Sequence, residues 1–432
     1  MTIQARERPE IESAGGRARL PALLRSFWAW SVVVLGLTLV VAWVEYRLGI
    51  SRYNWDPLSD PLFGDLMEYP GTYQWLHTAA FFFNVTARPV PYPIYSPVAY
   101  PPFAAMVLAG LYSAASPVMR YLEMSAVWLA IAVWGVRRAL MRTGIGGVTA
   151  TLFPLTLVAI SFPIARLVHE GNVELVLWIL TATGVWAYLR KHDDAAAVLW
   201  GLAAAMKLYP VVLLVLLLPR RRWRAFAVGV ATFVAASVLA LWWLGPTMGV
   251  AWQGSIHNVF GYQGVRAGEW SLRELAANHS AFGLLKMVAM IVGVPLTRLM
   301  LPYYVLGAVV MGWALFGRLW RMPEANQLLA VTAFMVMFPP VSYFHTLVHM
   351  YAPLLVLLFV AIRAERAGVR VVGLRGTVLL FVPLLAAFTL FLFPRVFIFD
   401  GLVQAALLVA IFGCALRFPF AVEGAEQLPE AG

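Results

Sequence analysis

Long apolar runs separated by short polar clusters organise this chain. The runs fall at about 27–48, 122–140, 147–165, 173–189, 195–218, 225–244, 300–317, 325–338, 346–362, 373–394 and 399–416, with shorter apolar pieces at 101–117 and 281–297. A helix needs about 20 apolar residues to cross the bilayer core. Within lipid only helices and closed barrels satisfy their backbone polar groups, and these runs are too long and uniformly apolar for barrel strands. The pattern predicts an all-α fold, a polytopic transmembrane helical bundle of about ten to thirteen membrane segments. Residues 1–26 read as a cytoplasmic tail, 27–418 as one transmembrane domain and 419–432 as a C-terminal tail. A long outer loop follows the first helix at about 49–100, and a second covers about 245–280.

Composition sharpens this reading. The chain is 62% hydrophobic and 12% charged, where a soluble domain carries about a quarter charged residues. The net charge of +11 is therefore read as positive-inside topology rather than as a nucleic-acid surface. Its cations cluster at run ends: Arg137, Arg138 and Arg142; Arg190 and Lys191; Arg220, Arg221, Arg222 and Arg224; Arg318 and Arg321; Arg363, Arg366 and Arg370. The first run, preceded by Arg6, Arg8, Arg17, Arg19 and Arg25, reads as an uncleaved helix with its N-terminus inside. The clusters leave the 195–218 run with positive charge at both ends, which suits a broken hairpin with Lys207 and Pro210 at the break. A rival parity makes 101–117 and 195–218 single crossings and breaks the positive-inside rule at two clusters. Both parities put the 49–100 loop and the 339–345 turn on the outer face. The single cysteine, Cys414, excludes a disulfide or a cysteine metal site.

Several polar residues carry candidate chemistry, each beside an ordinary structural reading. The first outer loop holds Asp56, Asp60, Asp65 and Glu68, any of which is either a general base at the membrane surface or a solvated loop acid. Arg166 to Glu174 joins two apolar runs, and there Glu174 and Arg166 suit a simple pair. Lys207 sits inside an apolar run, where a lysine costs about 2.5–3.5 kcal/mol; it marks a functional site or snorkels at a helix break. His345 and His349 are four apart, a spacing compatible with metal ligands, with phosphate or sugar contact, or with a helix start after Pro339-Pro340. A third ligand is not evident nearby, so no metal is expected. Asn258, Tyr262, Arg266, Glu269, Trp270, Arg273, Asn278, His279 and Ser280 suit either a sugar phosphate or an interfacial belt.

The order of short motifs adds a resemblance. Gly64-Asp65 to Tyr69, Tyr100-Pro101-Pro102-Phe103, Gly171-Asn172, Gly201 to Lys207 with Pro210, Asn278-His279-Ser280 and Pro340 to His345 together resemble glycosyltransferase family 87. These are the polyprenyl-phosphate-mannose-dependent membrane mannosyltransferases of the GT-C superfamily, which include the phosphatidylinositol-mannoside mannosyltransferase. The likeness spans roughly residues 60 to 350. Departures are Leu66 for the family's aromatic, Gly171-Asn172 for Gly-Gln, Asn278-His279-Ser280 for Asn-Gln-Ser, and Ser342 to Thr346 for Ser-Trp-x-His-His.

The resemblance implies inverting transfer of a hexose, usually mannose, from a polyprenyl-phosphate donor to a lipid or glycan acceptor on the extracytoplasmic face. It implies Asp65 as the base and His345 as a contact to donor or acceptor. Tyr100, Asn172, Lys207, Arg266, Arg273, Asn278 and His279 are the further substrate-binding candidates, with Arg120 another cation for the phosphate. Expected partners are membrane lipids, the polyprenyl-phosphate sugar and a glycolipid or glycan acceptor; no cofactor and no nucleic acid are expected, and the location is the plasma membrane, multi-pass. A transporter or flippase for a lipid-linked sugar is the alternative, and it would place ionisable residues near the midplane; here the charges other than Lys207 sit at segment ends. A structural subunit with a degenerate site is the third class.

Overall fold

The computed structural model describes residues 21–48, 62–67, 73, 75–83, 100–268, 272–385 and 400–421. Asp56, Asp60, Glu68, Glu269 and Trp270 lie outside these residues, as do the side chains of Asp65, Tyr262, Arg266 and Arg273. In chain order the helices are α1 (Ala22–Leu48), the short α2 (Gly64–Met67) and α3 (Ala80–Phe83), α4 (Pro102–Tyr112), α5 (Pro117–Arg142), α6 (Gly147–Ala159), α7 (Phe162–Glu170), α8 (Glu174–Leu189) and α9 (Asp193–Met206). A 3₁₀ segment, Tyr209–Leu217, leads to α10 (Trp223–Leu244), α11 (Met248–Gly268), α12 (Leu272–Ala277), α13 (Ala281–Val292), α14 (Thr297–Trp313) and α15 (Glu324–Met337). A second 3₁₀ segment, Phe344–Met350, runs into α16 (Tyr351–Arg366), followed by α17 (Leu374–Leu385) and α18 (Asp400–Arg417).

The fold is the all-α polytopic bundle expected. Pro117–Arg142, Trp223–Leu244, Arg298–Arg321 and Phe344–Arg366 are each long and apolar enough to cross a membrane, and α6 with α7, bent by 57°, meets the same criterion only as a pair, as a broken span or a re-entrant loop. Six shorter apolar helices complete the bundle among the described residues. Large apolar side chains such as Ile131, Trp134, Leu239, Trp242, Leu306 and Trp313 are exposed, as a lipid-facing surface requires. The bend after α6 has a local cause. Ser161 caps α7 by accepting the Ile164 N–H at 3.1 Å, and Pro163 in the first turn has no N–H to continue the preceding helix. The 245–280 segment, expected as a second outer loop, is mostly helical, because α11 and α12 fill most of it. Its mixture of Gly, Trp, Asn and Gln dilutes hydropathy without preventing a helix that packs on Phe82, whose Cβ would sit 2.4 Å from a methyl group added at Gly254.

One end of the bundle gathers the cationic clusters. Asp193 at the start of α9 lies 3.1 Å from Arg222 and 3.9 Å from Arg220, both beyond the first 3₁₀ segment. The two arms of the 193–217 stretch therefore begin and end together, forming the broken hairpin and not a single crossing. Glu324 at the start of α15 joins Lys191 at 2.6 Å and Arg220. Glu365 near the end of α16 accepts the Ala22 N–H at 2.6 Å, capping α1 from another helix. Small residues let the hairpin pack closely: a Cβ at Gly201 would meet the Gly229 carbonyl at 2.4 Å, and one at Gly184 would meet Trp200 at 2.4 Å. The tip of the hairpin, at Lys207, consequently points to the opposite end. That end also holds the α7–α8 turn, the 278–280 turn and the 340–350 segment.

Candidate functional site

The site begins at the turn between α7 and α8. Gly171 ends α7 in the left-handed conformation (φ 67°), which an L side chain adopts only at a cost. Asn172 then accepts the Glu174 N–H through Oδ1 at 2.8 Å and so starts α8, while the Tyr121 hydroxyl donates to the Leu167 and Asn172 carbonyls. This local order separates two carboxylates four residues apart. Glu170 stays on the face of α7 with Arg166, at 2.6 Å, and Glu174 opens a new helix that points elsewhere. The expected Arg166–Glu174 pair is thus replaced by Arg166–Glu170, because the left-handed turn breaks the helical face between them.

Each carboxylate recruits one histidine. His345 Nδ1 lies 2.8 Å from Glu170 Oε2, and His349 Nε2 lies 2.7 Å from Glu174 Oε1. The histidines sit in a 3₁₀ segment, where residues four apart diverge by about 120° instead of sharing a face. They consequently serve different partners, and among the described residues no three of His, Cys, Asp and Glu gather as metal ligands.

Glu174 is fully buried and accepts three further-reaching partners: Lys207 Nζ at 2.5 Å on Oε2, and His349 and the Tyr209 hydroxyl on Oε1. His349 Nδ1 meets the Thr181 hydroxyl at 2.9 Å, which holds the ring with its Nε2 edge toward the carboxylate. Lys207 is the extended residue ending α9, and its ammonium lies 5.6 Å from the centre of the Tyr100 ring.

The segment carrying Asp65 docks against this turn. The Phe63 N–H donates to the His169 carbonyl, the Tyr112 hydroxyl to the Leu66 carbonyl at 2.6 Å, and the buried Leu66 lies against Gly171, where a Cβ would come within 2.8 Å of the Leu66 Cβ. Backbone contacts thus bring α2 beside the Glu170–Glu174 turn.

Asn278 and His279 hold protein to protein. Asn278 Oδ1 accepts the Ser280 and Ser342 N–H groups, each at 3.0 Å, and its amide donates to Glu274 at 2.7 Å and to the Pro340 carbonyl at 3.0 Å. His279 Nε2 lies 3.0 Å from both the Ser342 and Thr346 hydroxyls. Burial, with His345 nearby, pushes the His279 imidazole down to about 3, so it is neutral near pH 7. Arg120 is exposed on the first turn of α5.

Sequence reasoning did not single out the Glu170–His345 and Glu174–His349 partnerships or the buried pair Lys286–Glu274, at 2.8 Å. Lys286 also corrects the statement that Lys207 stands apart as the charge away from segment ends. A usable signal was present: a lysine in an apolar run needs a counter-ion, and Glu170, Glu174 and Glu274 are among the acids near the ends of apolar runs.

No curated protein matches the chain. The model of glycosyltransferase family 87 matches residues 98–340, a stretch that contains Arg166, Glu170, Glu174, Lys207 and the 278–280 turn. With more than half of its length so matched, the chain belongs to glycosyltransferase family 87 and is a membrane glycosyltransferase.

Proposed function

We propose that this glycosyltransferase moves a hexose, specifically mannose, from a polyprenyl-phosphate donor to a hydroxyl of a lipid or glycan acceptor at the extracytoplasmic face of the plasma membrane. The observation that carries the reading is the docking of the Asp65 segment on the α7–α8 turn, beside a buried set of carboxylates, histidines and cations. An acceptor hydroxyl attacks the anomeric carbon from the face opposite the phosphate. Its proton passes to the Asp65 carboxylate as the new C–O bond forms, and the bond from C1 to the phosphate oxygen breaks with inversion. A phosphate is a good leaving group and needs no general acid, so one carboxylate suffices, unlike the paired carboxylates of glycoside hydrolysis. Cations that hold the developing charge on the phosphate lower the barrier. The positive-inside rule supports the outer face: the arginine clusters mark one end as cytoplasmic, and Lys207 and the α7–α8 turn lie at the other. Membership of a transferase family favours this chemistry over a flippase for lipid-linked sugar.

The test is transfer by the purified protein in nanodiscs, offered a panel of labelled polyprenyl-phosphate sugars and membrane lipid extract. Wild-type protein should form a labelled glycolipid with the mannosyl donor, and Asp65→Asn should form none while remaining monodisperse. Transfer by Asp65→Asn at the wild-type rate would remove Asp65 from the mechanism. Product from a different sugar would reassign the donor.

A further inference from the structure

Resting on the transfer reading above, we propose that the Lys207 ammonium binds the phosphate of the lipid-linked donor, and that Glu174 is the positioning residue that aims it. At the end of the bundle opposite the arginine clusters, three cations make close pairs with carboxylates among the described residues: Arg166, Lys207 and Lys286. Arg166 is 4% exposed and Lys286 0%, while Lys207 is 19% exposed although its partner Glu174 is at 0%. The pair is therefore asymmetric: the acid is sealed in the protein and the ammonium reaches its edge. An ammonium carries three donors in a tetrahedral array, and Glu174 Oε2 takes one of them. The Tyr100 ring flanks the charge without consuming a hydrogen bond.

Glu174 is itself held on its other oxygen by His349 and Tyr209, and His349 is held in turn by Thr181. The carboxylate cannot swing without breaking these contacts, so the lysine it anchors has a fixed direction. A flexible four-carbon stem at a helix break otherwise samples many rotamers. A fixed cation at the end of the bundle opposite the arginine clusters lies toward the face on which the proposed donor presents its phosphate. Anionic phosphate oxygens are also offered by free phosphate, and the two sources differ in whether the lipid tail is needed.

The experiment measures binding of polyprenyl monophosphate to the full chain in nanodiscs by native mass spectrometry, with polyprenol and inorganic phosphate as the other probes. Wild-type protein should bind polyprenyl monophosphate more tightly than polyprenol. Lys207→Met should erase this preference by about tenfold or more, the loss expected for one charge-assisted hydrogen bond, and Lys207→Arg should restore most of it. Glu174→Gln should reduce the preference and Glu174→Asp should recover part, with polyprenol binding unchanged in every variant. The double variant Lys207→Met/Glu174→Gln leaves no stranded charge and gives the same comparison if the single variant misfolds. An unchanged phosphate preference in folded Lys207→Met or in the double variant overturns the proposal. Competition by inorganic phosphate at equal affinity overturns the lipid assignment. Asp65 has no part in this binding, so failure of the transfer reading and failure of this proposal give different results.

Discussion

The Lys207 ammonium lies 2.5 Å from Glu174 Oε2, across 33 residues and a full descent and return of the chain through α8 and α9. Because Glu174 is sealed from solvent, removal of the lysine strands a buried carboxylate. Lys207→Met should destabilise the protein by about 3 kcal/mol, and adding Glu174→Gln should return part of that loss. Unfolding midpoints of the two single variants and the double variant, assembled as a cycle, measure the coupling; additive effects would show that the two groups do not interact.

Gly171 sets the distance between the Asp65 segment and the α7–α8 turn. In Gly171→Ala the left-handed residue costs about 1–2 kcal/mol, and the new methyl meets Leu66 at 2.8 Å. Relief requires α2 to move outward. The turnover number should fall by about tenfold or more, a larger effect than the modest loss of stability explains, because small displacements of a reacting group are expensive. Equal transfer rates in Gly171→Ala and wild type would show that α2 is not held by this contact.

Asn278 stitches the turn before α13 to the segment that leads into His345. Replacing it by alanine leaves the Ser280 and Ser342 N–H groups and the Pro340 carbonyl without that partner. Asn278→Ala should cost about 2–4 kcal/mol, as several buried groups lose bonds together. Thermal unfolding in detergent reads this directly, and Asn278→Asp should destabilise as well, since a carboxylate cannot donate to Pro340.

The buried His279 makes stability depend on acid. Its folded-state value is depressed from 6.5 to about 3, so below 6.5 the unfolded chain takes up a proton that the folded chain refuses. The contribution of this group is complete above about pH 6.5 and is lost progressively as the pH falls toward 3. His279→Gln should flatten the fall of the unfolding midpoint between pH 7 and pH 5 relative to wild type. Parallel curves for the two proteins would show that another group carries the acid limb.

The positions of the helices were legible in the chain because hydropathy is a local sum. Apolar runs, proline-marked breaks and arginine clusters locate α1, α5, α10 and the Lys207 hairpin without knowledge of any partner. The same sum hid α11, whose glycines and amides lower the average while the backbone still closes its own hydrogen bonds. It also hid Lys286, a single charge in a short apolar piece.

What the sequence alone determined was an all-helical membrane bundle with a charged end and an acid-bearing segment after the first helix. The tertiary structure decided which carboxylate meets which histidine. Glu170 with His345 and Glu174 with His349 are each 175 residues apart, and the choice depends on one left-handed glycine and on a 3₁₀ turn in place of an α turn. Residue type and spacing say that a buried acid needs a partner. Only the packing of the helices says which donor arrives within 3 Å, since that depends on the relative rotation of segments far apart in the chain.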